Sequence, residues 1–477
     1  MVSTTFTTSG AGRDFAPIRS EFALREDFPA AALVEAEQAL AEVRGGPRLD
    51  ATTLPLVTID PPGSKDLDQA VLIERRPRGY RVHYAIADLG GFVRPGGALD
   101  QEVKRRGQTL YLPDGTVPLH PPVLSEGAAS LLPDQVRPSV LWTIDLDPDG
   151  NPEDVLVRRA LVRSVARLDY ESVRASLAVG TPHPSVALLP DVGRLRRAMA
   201  ADRGAVELQL PEQQVNPADD GEWTLRVRLR SDIEAWNAEI SLLTGMCAAK
   251  IMIDARVGVL RTLPSADVDA ISGLHRAATA SHVEWHDGES PARVLARLDP
   301  NRPESLAMYV AATRLLRGAG YTAFDGSDPA VTSHAGVGAP YAHVTAPLRR
   351  LVDRFATECC LAAVAGAEVP AWVRAALPEL PHLMSVSDAL AAKVERACLD
   401  QVEAWVLADS VGDVFEAVVL RSESNSGEVF VTEPPVMAKC SGAELPEGEQ
   451  IKVRLVEADT ARRKVSFERF FGEEDRD

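Results

Sequence analysis

The sequence predicts a large mixed α/β unit followed by a small antiparallel β-barrel. Three features carry this. Strand-like runs such as Val71-Leu72-Ile73, Tyr80-Arg81-Val82-His83-Tyr84 and Val140-Leu141-Trp142-Thr143-Ile144-Asp145-Leu146 dominate the first third of the chain. Helical periodicity replaces them over 233–253 and 303–318. Beyond residue 409, four short segments at 414–419, 427–431, 448–455 and 462–467 alternate apolar and polar side chains, as the strands of a half-buried sheet do. At 477 residues the chain exceeds what one core supports, so three parts are expected: 1–48, an N-terminal arm and short helical segment; 49–408, the α/β unit; and 409–477, the barrel.

Taken in order, the first twenty or so residues are rich in Thr, Ser and Gly without periodicity, which reads as a mobile arm. Phe28-Pro29-Ala30-Ala31 opens a helix to about Val43, closed by Gly45-Gly46-Pro47. The apolar run 54–59 reads as a strand, and the strand-like runs named above build a sheet around the acidic segment after it. A polar stretch with histidines, 275–289, interrupts the two later helices, and a helix over about 387–409 leads into the barrel. The balance of 45% apolar and 25% charged residues is that of an ordinary soluble globular protein. A net charge of -18 argues against a protein that grips nucleic acid with its whole surface; attraction for a polyanion would be confined to a channel, to metal ions and to local arginines. Five cysteines, an odd number with no C-x-x-C pair, suit a reducing cytosol. Neither a secretory leader nor an apolar run long enough to span a bilayer is apparent, so a cytoplasmic protein with no membrane partner is expected.

The most informative stretch is Ile59-Asp60-Pro61-Pro62-Gly63-Ser64-Lys65-Asp66-Leu67-Asp68-Gln69-Ala70. A strand delivers Asp60, the Pro-Pro-Gly turn redirects the backbone, and the alternation Asp66-Leu67-Asp68 points two more carboxylates the same way if that segment is extended. Converging carboxylates repel one another in low dielectric unless divalent cations neutralise them, and Mg²⁺ takes one or two carboxylates per ion with water and substrate phosphate. Phosphodiester hydrolysis suits such a site. On spacing alone an acidic surface turn explains these residues better, because Asp and Gly populate turns for conformational reasons.

The residues downstream reverse that preference. Tyr84-Ala85-Ile86-Ala87-Asp88-Leu89, Phe92-Val93-Arg94-Pro95-Gly96, Leu99-Asp100-Gln101-Glu102, Arg105-Arg106-Gly107-Gln108-Thr109-Leu110-Tyr111-Leu112-Pro113 and Leu131-Leu132-Pro133 resemble the ribonuclease II/R (RNB) family in order and spacing. Tyr341-Ala342-His343-Val344-Thr345-Ala346-Pro347-Leu348-Arg349-Arg350 resembles a second signature of that family. The resemblance runs from about Glu21 to the C-terminus. It implies an RNB catalytic domain of mixed α+β fold with a C-terminal OB-fold barrel of the ribosomal-protein type, and a Mg²⁺-dependent hydrolysis of single-stranded RNA from the 3′ end to nucleoside 5′-monophosphates, with Mn²⁺ as a substitute cation. The family usually carries two cold-shock barrels ahead of the catalytic region; some fifty residues precede Leu54, too few for one. No protein partner is implied.

By the motif match, Asp60, Asp66, Asp68 and Gln69 fall on the family's four active-site aspartates, with glutamine at the fourth. Gln69 keeps a neutral oxygen but removes a negative charge, which should weaken affinity for one cation if the position is a direct ligand. Asp68 is the expected centre of catalysis. Thr345-Ala346-Pro347 looks like a helix start with Pro in the first turn; Leu348, Leu351, Val352 and Phe355 then form a buried stripe that leaves Arg349, Arg350 and Arg354 off it, with Arg349 and Arg350 free to clamp phosphate. Ala346, Leu351 and Thr357-Glu358 depart from the family's serine, tyrosine and His-Arg pair. The resemblance further implies base stacking by Tyr111, a catalytic role for Glu239 and RNA contacts at Tyr341. In the barrel, Phe430, Arg421 and Lys439 are candidate RNA contacts, and Phe430 suits the barrel core equally well. Two rival readings remain: a phosphodiesterase of short oligonucleotides, and a catalytically weakened RNA-binding regulatory protein.

Overall fold

The computed structural model describes residues 6–8, 13–218, 221–228, 230–443 and 445–471. Its centre is a six-stranded sheet in the spatial order Leu49–Asp50, Pro152–Leu168, Leu56–Ile59, Gln69–Arg75, Tyr80–Ala87 and Val136–Leu146. The 17-residue strand Pro152–Leu168 runs parallel to Leu56–Ile59 at one end and antiparallel to Val136–Leu146 along the rest, so the sheet curls until its long edges meet. Leu56-Val57-Thr58-Ile59 is buried at every position, which is why this strand reads as an unbroken apolar run rather than an alternation. Gly79 makes the turn between the next two strands: its φ is +83°, and a Cβ there would meet the Leu146 carbonyl.

Helices cover the sheet. Asp232–Ala255 opens on a reciprocal cap in which the Ser231 hydroxyl accepts from the Glu234 N–H and the Glu234 carboxylate accepts from Ser231. Leu351–Val364 is buried on nearly every face. Leu243 of the first and Phe355 of the second join Tyr84 and Trp142 of the sheet in the main core. The barrel is closed by five strands, in the order Val414–Glu423, Ser426–Val431, Val436–Ser441, Lys464–Arg469, Gln450–Asp459. Val436–Ser441 is a fifth strand beyond the four that alternation predicts. Its local signal is poor: Glu433-Pro434-Pro435 precedes it, and Met437, Ala438 and Lys439 have weak strand preference.

Several expectations are corrected. The described part of the N-terminal arm is built into the molecule: Phe6–Thr7 pairs with Trp223–Arg228, and the fully buried Phe15 meets Trp223 and Trp405 edge-on at 5.0 and 5.4 Å. Two large rings elsewhere in the sequence, invisible to local composition, hold it there. The stretch around His275 belongs to the helix Val268–Ala280, with His275 stacked on Trp285. The helix leading to the barrel begins earlier than expected, at Leu380, and ends at Leu407. The barrel does not swing free. Val394, Val402 and Trp405 of that helix enter one apolar cluster with Val429, Val453 and Phe467, while Leu306 packs on Val418, Leu420 and Phe430 in another. Among the described residues no helix is long and apolar enough to cross a membrane.

Candidate active site

The acidic stretch is held by its backbone. Asp60 N–H donates to the Leu168 carbonyl, Leu67 N–H to Ser130 Oγ at 3.0 Å, and Ala87 N–H to the Asp68 carbonyl at 2.9 Å. Leu67 is fully buried in a small core with Leu131 and Leu141. Its neighbours Asp66 and Asp68 therefore point to the other side, where with Asp60 they line a cavity of about 1010 Å³. Asp68 is buried and accepts the Leu348 N–H at 2.7 Å, with Arg349 Nε 3.6 Å away. Burial pushes its carboxyl well above the usual carboxylate range, opposed by Arg349. Burial likewise pushes Asp60 up to about 6, again opposed by Arg349, with the Asp66 charge adding to the rise. Asp60 Oδ2 is buried without a hydrogen-bond partner.

Opposite the carboxylates stands a locked turn. Ala346 N–H donates to Asp353 Oδ1 at 2.7 Å, and Arg350 grips the same carboxylate through two bonds of 2.9 Å. Thr109 N–H donates to the Arg349 carbonyl and Leu351 N–H to that of Gly107. Gly107 is left-handed, at φ +72°, and a Cβ there would strike Ser387. The turn leaves Arg349 half-exposed in the cavity and Arg350 largely covered. Tyr111, half-exposed on the neighbouring hairpin, brings its hydroxyl within 3.4 Å of Asp66 Oδ2. Tyr341 also lines the cavity but is buried, edge-on to His334 and His343.

Among the described residues no three His, Cys, Asp or Glu side chains stand close enough to cage a metal by themselves. The donor set nevertheless fits a divalent cation: hard carboxylate oxygens share one wall, the charged forms of Asp60 and Asp68 are penalised by burial, and one Asp60 oxygen lacks any partner. A cation there would complete its shell from water and phosphate.

The RNB domain model matches residues 48–363. This chain belongs to the RNB family. A second model, the RNase II-type exonuclease C-terminal S1 domain, matches residues 413–470, the barrel. The RNB chain is 26% identical to ribonuclease R of Vibrio parahaemolyticus over 404 residues, 79% of this chain and 48% of that protein. It is 25% identical to ribonuclease R of Escherichia coli over 481 residues, 90% of this chain and 58% of that protein. It thus spans about half the length of the curated relatives it matches. Among solved structures, apo Mycoplasma genitalium RNase R aligns with a TM-score of 0.85 at 18% identity, over 96% of this chain and 77% of that one. The same protein in complex with ribose-methylated single-stranded RNA aligns at 0.84, with the same identity and coverage.

In this RNB chain the cavity brings together Asp60, Asp66, Asp68, Gln69, Tyr111, Tyr341, Arg349 and Arg350. Gln69, expected as a neutral ligand, has both ends of its amide engaged: Nε2 donates to the Thr345 carbonyl at 2.7 Å, and Oε1 accepts from the hydroxyls of Tyr84 and Ser241. Glu239 is not brought in. On Asp232–Ala255 the residues lining the cavity are Asp232, Glu234, Ala235, Asn237, Ala238, Ser241 and Leu242; Glu239 is turned about 100° from Ala238, towards Arg196 and Arg203. Phe430 is buried between the barrel and the helix Pro303–Ala312, so its ring is not offered to a base. The expected helix start at Pro347 is also corrected. The helix begins at Leu351, and Arg354, expected on an open face, is buried against Asp100 with its guanidinium over Phe355 and Trp372. Asp100 lies too far away in sequence for helical periodicity to reveal the pairing. Arg228, Arg230 and Tyr170 line the cavity without having been expected there; the basic alternation Arg226-Val227-Arg228 is a readable signal for the first of them.

Proposed function

We propose that this RNB chain hydrolyses single-stranded RNA from its 3′ end, releasing nucleoside 5′-monophosphates, with Mg²⁺ as the cation and Mn²⁺ as a substitute. The observation that carries this is the meeting, in one cavity, of Asp60, Asp66 and Asp68 with Arg349 and an exposed Tyr111. Relatives named ribonuclease R, and an RNase R solved with single-stranded RNA, support the same reading.

Divalent cations bound to the carboxylates would supply an activated water and neutralise charge on the attacking and leaving oxygens. The chain's own residues do the rest. Water oxygen attacks phosphorus as the bond to the preceding 3′ oxygen breaks, so the departing nucleotide keeps its 5′-phosphate and the 3′ oxygen takes a proton. Arg349, with its guanidinium beside Asp68 and half-open to the cavity, pairs with a non-bridging phosphate oxygen. Arg350, clamped by Asp353, holds the turn that presents Arg349 and acts as a positioning residue. Tyr111 offers a ring face to the terminal base, a contact tolerant of base identity. The described cysteines are all buried and free, which suits a reducing cytosol as the place of action.

Incubation with end-labelled RNA and Mg²⁺ tests the proposal. Mononucleotides from a long single strand are expected. Cleavage confined to short oligomers would favour an oligonucleotide phosphodiesterase, and retention of RNA without cleavage would favour a binding protein.

A further inference from the structure

The turn 345–350, which presents Arg349, offers the carboxylate wall one acceptor and one donor, the Thr345 carbonyl and the Leu348 N–H. Two consecutive residues of that wall answer them. Asp68 accepts from the Leu348 N–H at 2.7 Å, and Gln69 Nε2 donates to the Thr345 carbonyl at 2.7 Å. A carbonyl can only accept, so the amide end facing Thr345 is the NH₂, and Oε1 is left to accept from the hydroxyls of Tyr84 and Ser241. Those two hydroxyls bond one another at 2.8 Å, so Oε1 is held from the strand Tyr80–Ala87 and the helix Asp232–Ala255 together. One amide thereby joins the arginine turn to two elements of the catalytic core. An aspartate at 69 would be one methylene shorter and, ionised, could only accept, so it could not make the Thr345 bond.

We infer that Gln69 is a positioning residue and not a cation ligand: its amide sets the arginine turn against the carboxylate wall and so fixes where Arg349 meets phosphate. Asp353 and Gly107 fasten the same turn from its other side, through Ala346 N–H and Leu351 N–H. Gln69 and Asp68 are the fastenings that come from the wall itself. Serving as a ligand would require Oε1 to leave both hydroxyls, and Tyr84 is buried where its hydroxyl has no water to turn to. The inference rests on the proposed function in giving Arg349 a phosphate to hold; the clasp itself is a matter of the fold.

The test compares the whole chain as wild type, Gln69→Met, Arg349→Ala and the double variant, by hydrogen exchange without metal, by Mn²⁺ titration without RNA, and by single-turnover cleavage of RNA. Gln69→Met keeps the length of the side chain and removes both ends of the amide. Exchange at the N–H groups of Leu348, Arg349 and Leu351 should quicken about tenfold, while the barrel strand Val436–Ser441 exchanges as in wild type. Mn²⁺ affinity should not change. Cleavage should slow about tenfold, and no further when the same substitution is made in Arg349→Ala, because the turn acts on phosphate through the guanidinium it carries. Gln69→Glu keeps Oε1 for Tyr84 and Ser241 but withdraws the donor from Thr345; it should loosen the turn without tightening Mn²⁺ binding, and it stands in if Gln69→Met fails to fold. Weaker Mn²⁺ binding by Gln69→Met, or tighter binding by Gln69→Glu, would make the position a ligand and overturn the assignment. Slowing that multiplies with that of Arg349→Ala would overturn it too, as would exchange unchanged at the turn or equally quickened in the barrel. A wild type that cleaves no RNA would overturn the proposed activity, and the exchange and Mn²⁺ readings would then decide the clasp by themselves.

Discussion

At Asp68 one carboxylate is buried, accepts the Leu348 N–H at 2.7 Å and faces Arg349 at 3.6 Å. Asparagine keeps an oxygen for Leu348 but discards the charge. Asp68→Asn should therefore retain the fold and RNA binding while slowing cleavage about 10²- to 10³-fold, read by single-turnover cleavage beside a binding titration. Substantial retained cleavage would remove Asp68 from the mechanism. Gln69 calls for a different expectation from the one its position in the motif suggests. Its Nε2 donates to the Thr345 carbonyl, so an aspartate there would lose a donor and set a carboxylate near a carbonyl oxygen. Gln69→Asp should cost about 1–3 kcal/mol in thermal unfolding and leave the half-saturating Mg²⁺ concentration no lower. If half-saturation falls with stability unchanged, a fourth carboxylate ligand is what the site lacks.

The helix Leu380–Leu407 joins the catalytic region to the barrel, and at that junction sits Glu403. Its Oε1 accepts from Gln213 Nε2 at 2.7 Å and from Met437 N–H at 3.3 Å, tying the helix at once to the strand Glu212–Pro217, which pairs with Trp223–Arg228, and to the barrel strand Val436–Ser441. Burial pushes its carboxyl up to about 7, opposed by Gln213 and by the charge of Arg396, with Asp400 adding to the rise. A carboxyl raised in the folded state holds its proton where the unfolded chain has released it. The stability it contributes is complete below about pH 4.5 and is lost as pH rises through about 7, by roughly 3 kcal/mol at most. Glu403→Gln should flatten that part of the stability profile, seen as a smaller fall in melting temperature between pH 5 and 8 than wild type shows. Parallel profiles for the two proteins would show that Glu403 is already ionised when folded.

The whole molecule carries a net charge of -18, and its cavity sets Arg197, Arg228, Arg230, Arg349 and Arg350 against Asp60, Asp66, Asp68, Glu207, Glu212, Asp232 and Glu234. The arginines supply local contacts for phosphate, and cations that neutralise the carboxylates would let this concave place draw in a polyanion while the rest of the surface repels it. The barrel belongs to the same body. Deleting everything after Asp409 would uncover Val394, Val402 and Trp405 on the helix Leu380–Leu407 and Leu306 on the helix Pro303–Ala312. The truncated chain should lose solubility or melt at least several degrees lower, measured by gel filtration and calorimetry. A soluble truncation with unchanged melting that still cleaves short oligomers would show that the barrel serves only to hold long RNA.

The sequence by itself determined the architecture and most of the carboxylate–arginine site. Val57, Val71, Tyr84 and Trp142 announce strands through short runs of apolar and β-branched residues, and Asp60, Asp66, Asp68 and Arg349 sit in motifs that line one cavity. Local pattern is enough for the strands because apolar runs and tight turns are set within a few residues of chain, whereas for the carboxylates and Arg349 spacing alone favours a surface turn and the motif resemblance is needed. The tertiary structure alone decided what depends on partners distant in sequence. Phe15 is ordered by Trp223 and Trp405, Arg354 is buried because Asp100 waits for it, Gln69 is occupied by Tyr84 and Thr345, and Phe430 is covered by Leu306. In each case the free energy of one side chain is settled by a group brought near only when the chain closes on itself, and no periodicity in the sequence encodes that meeting.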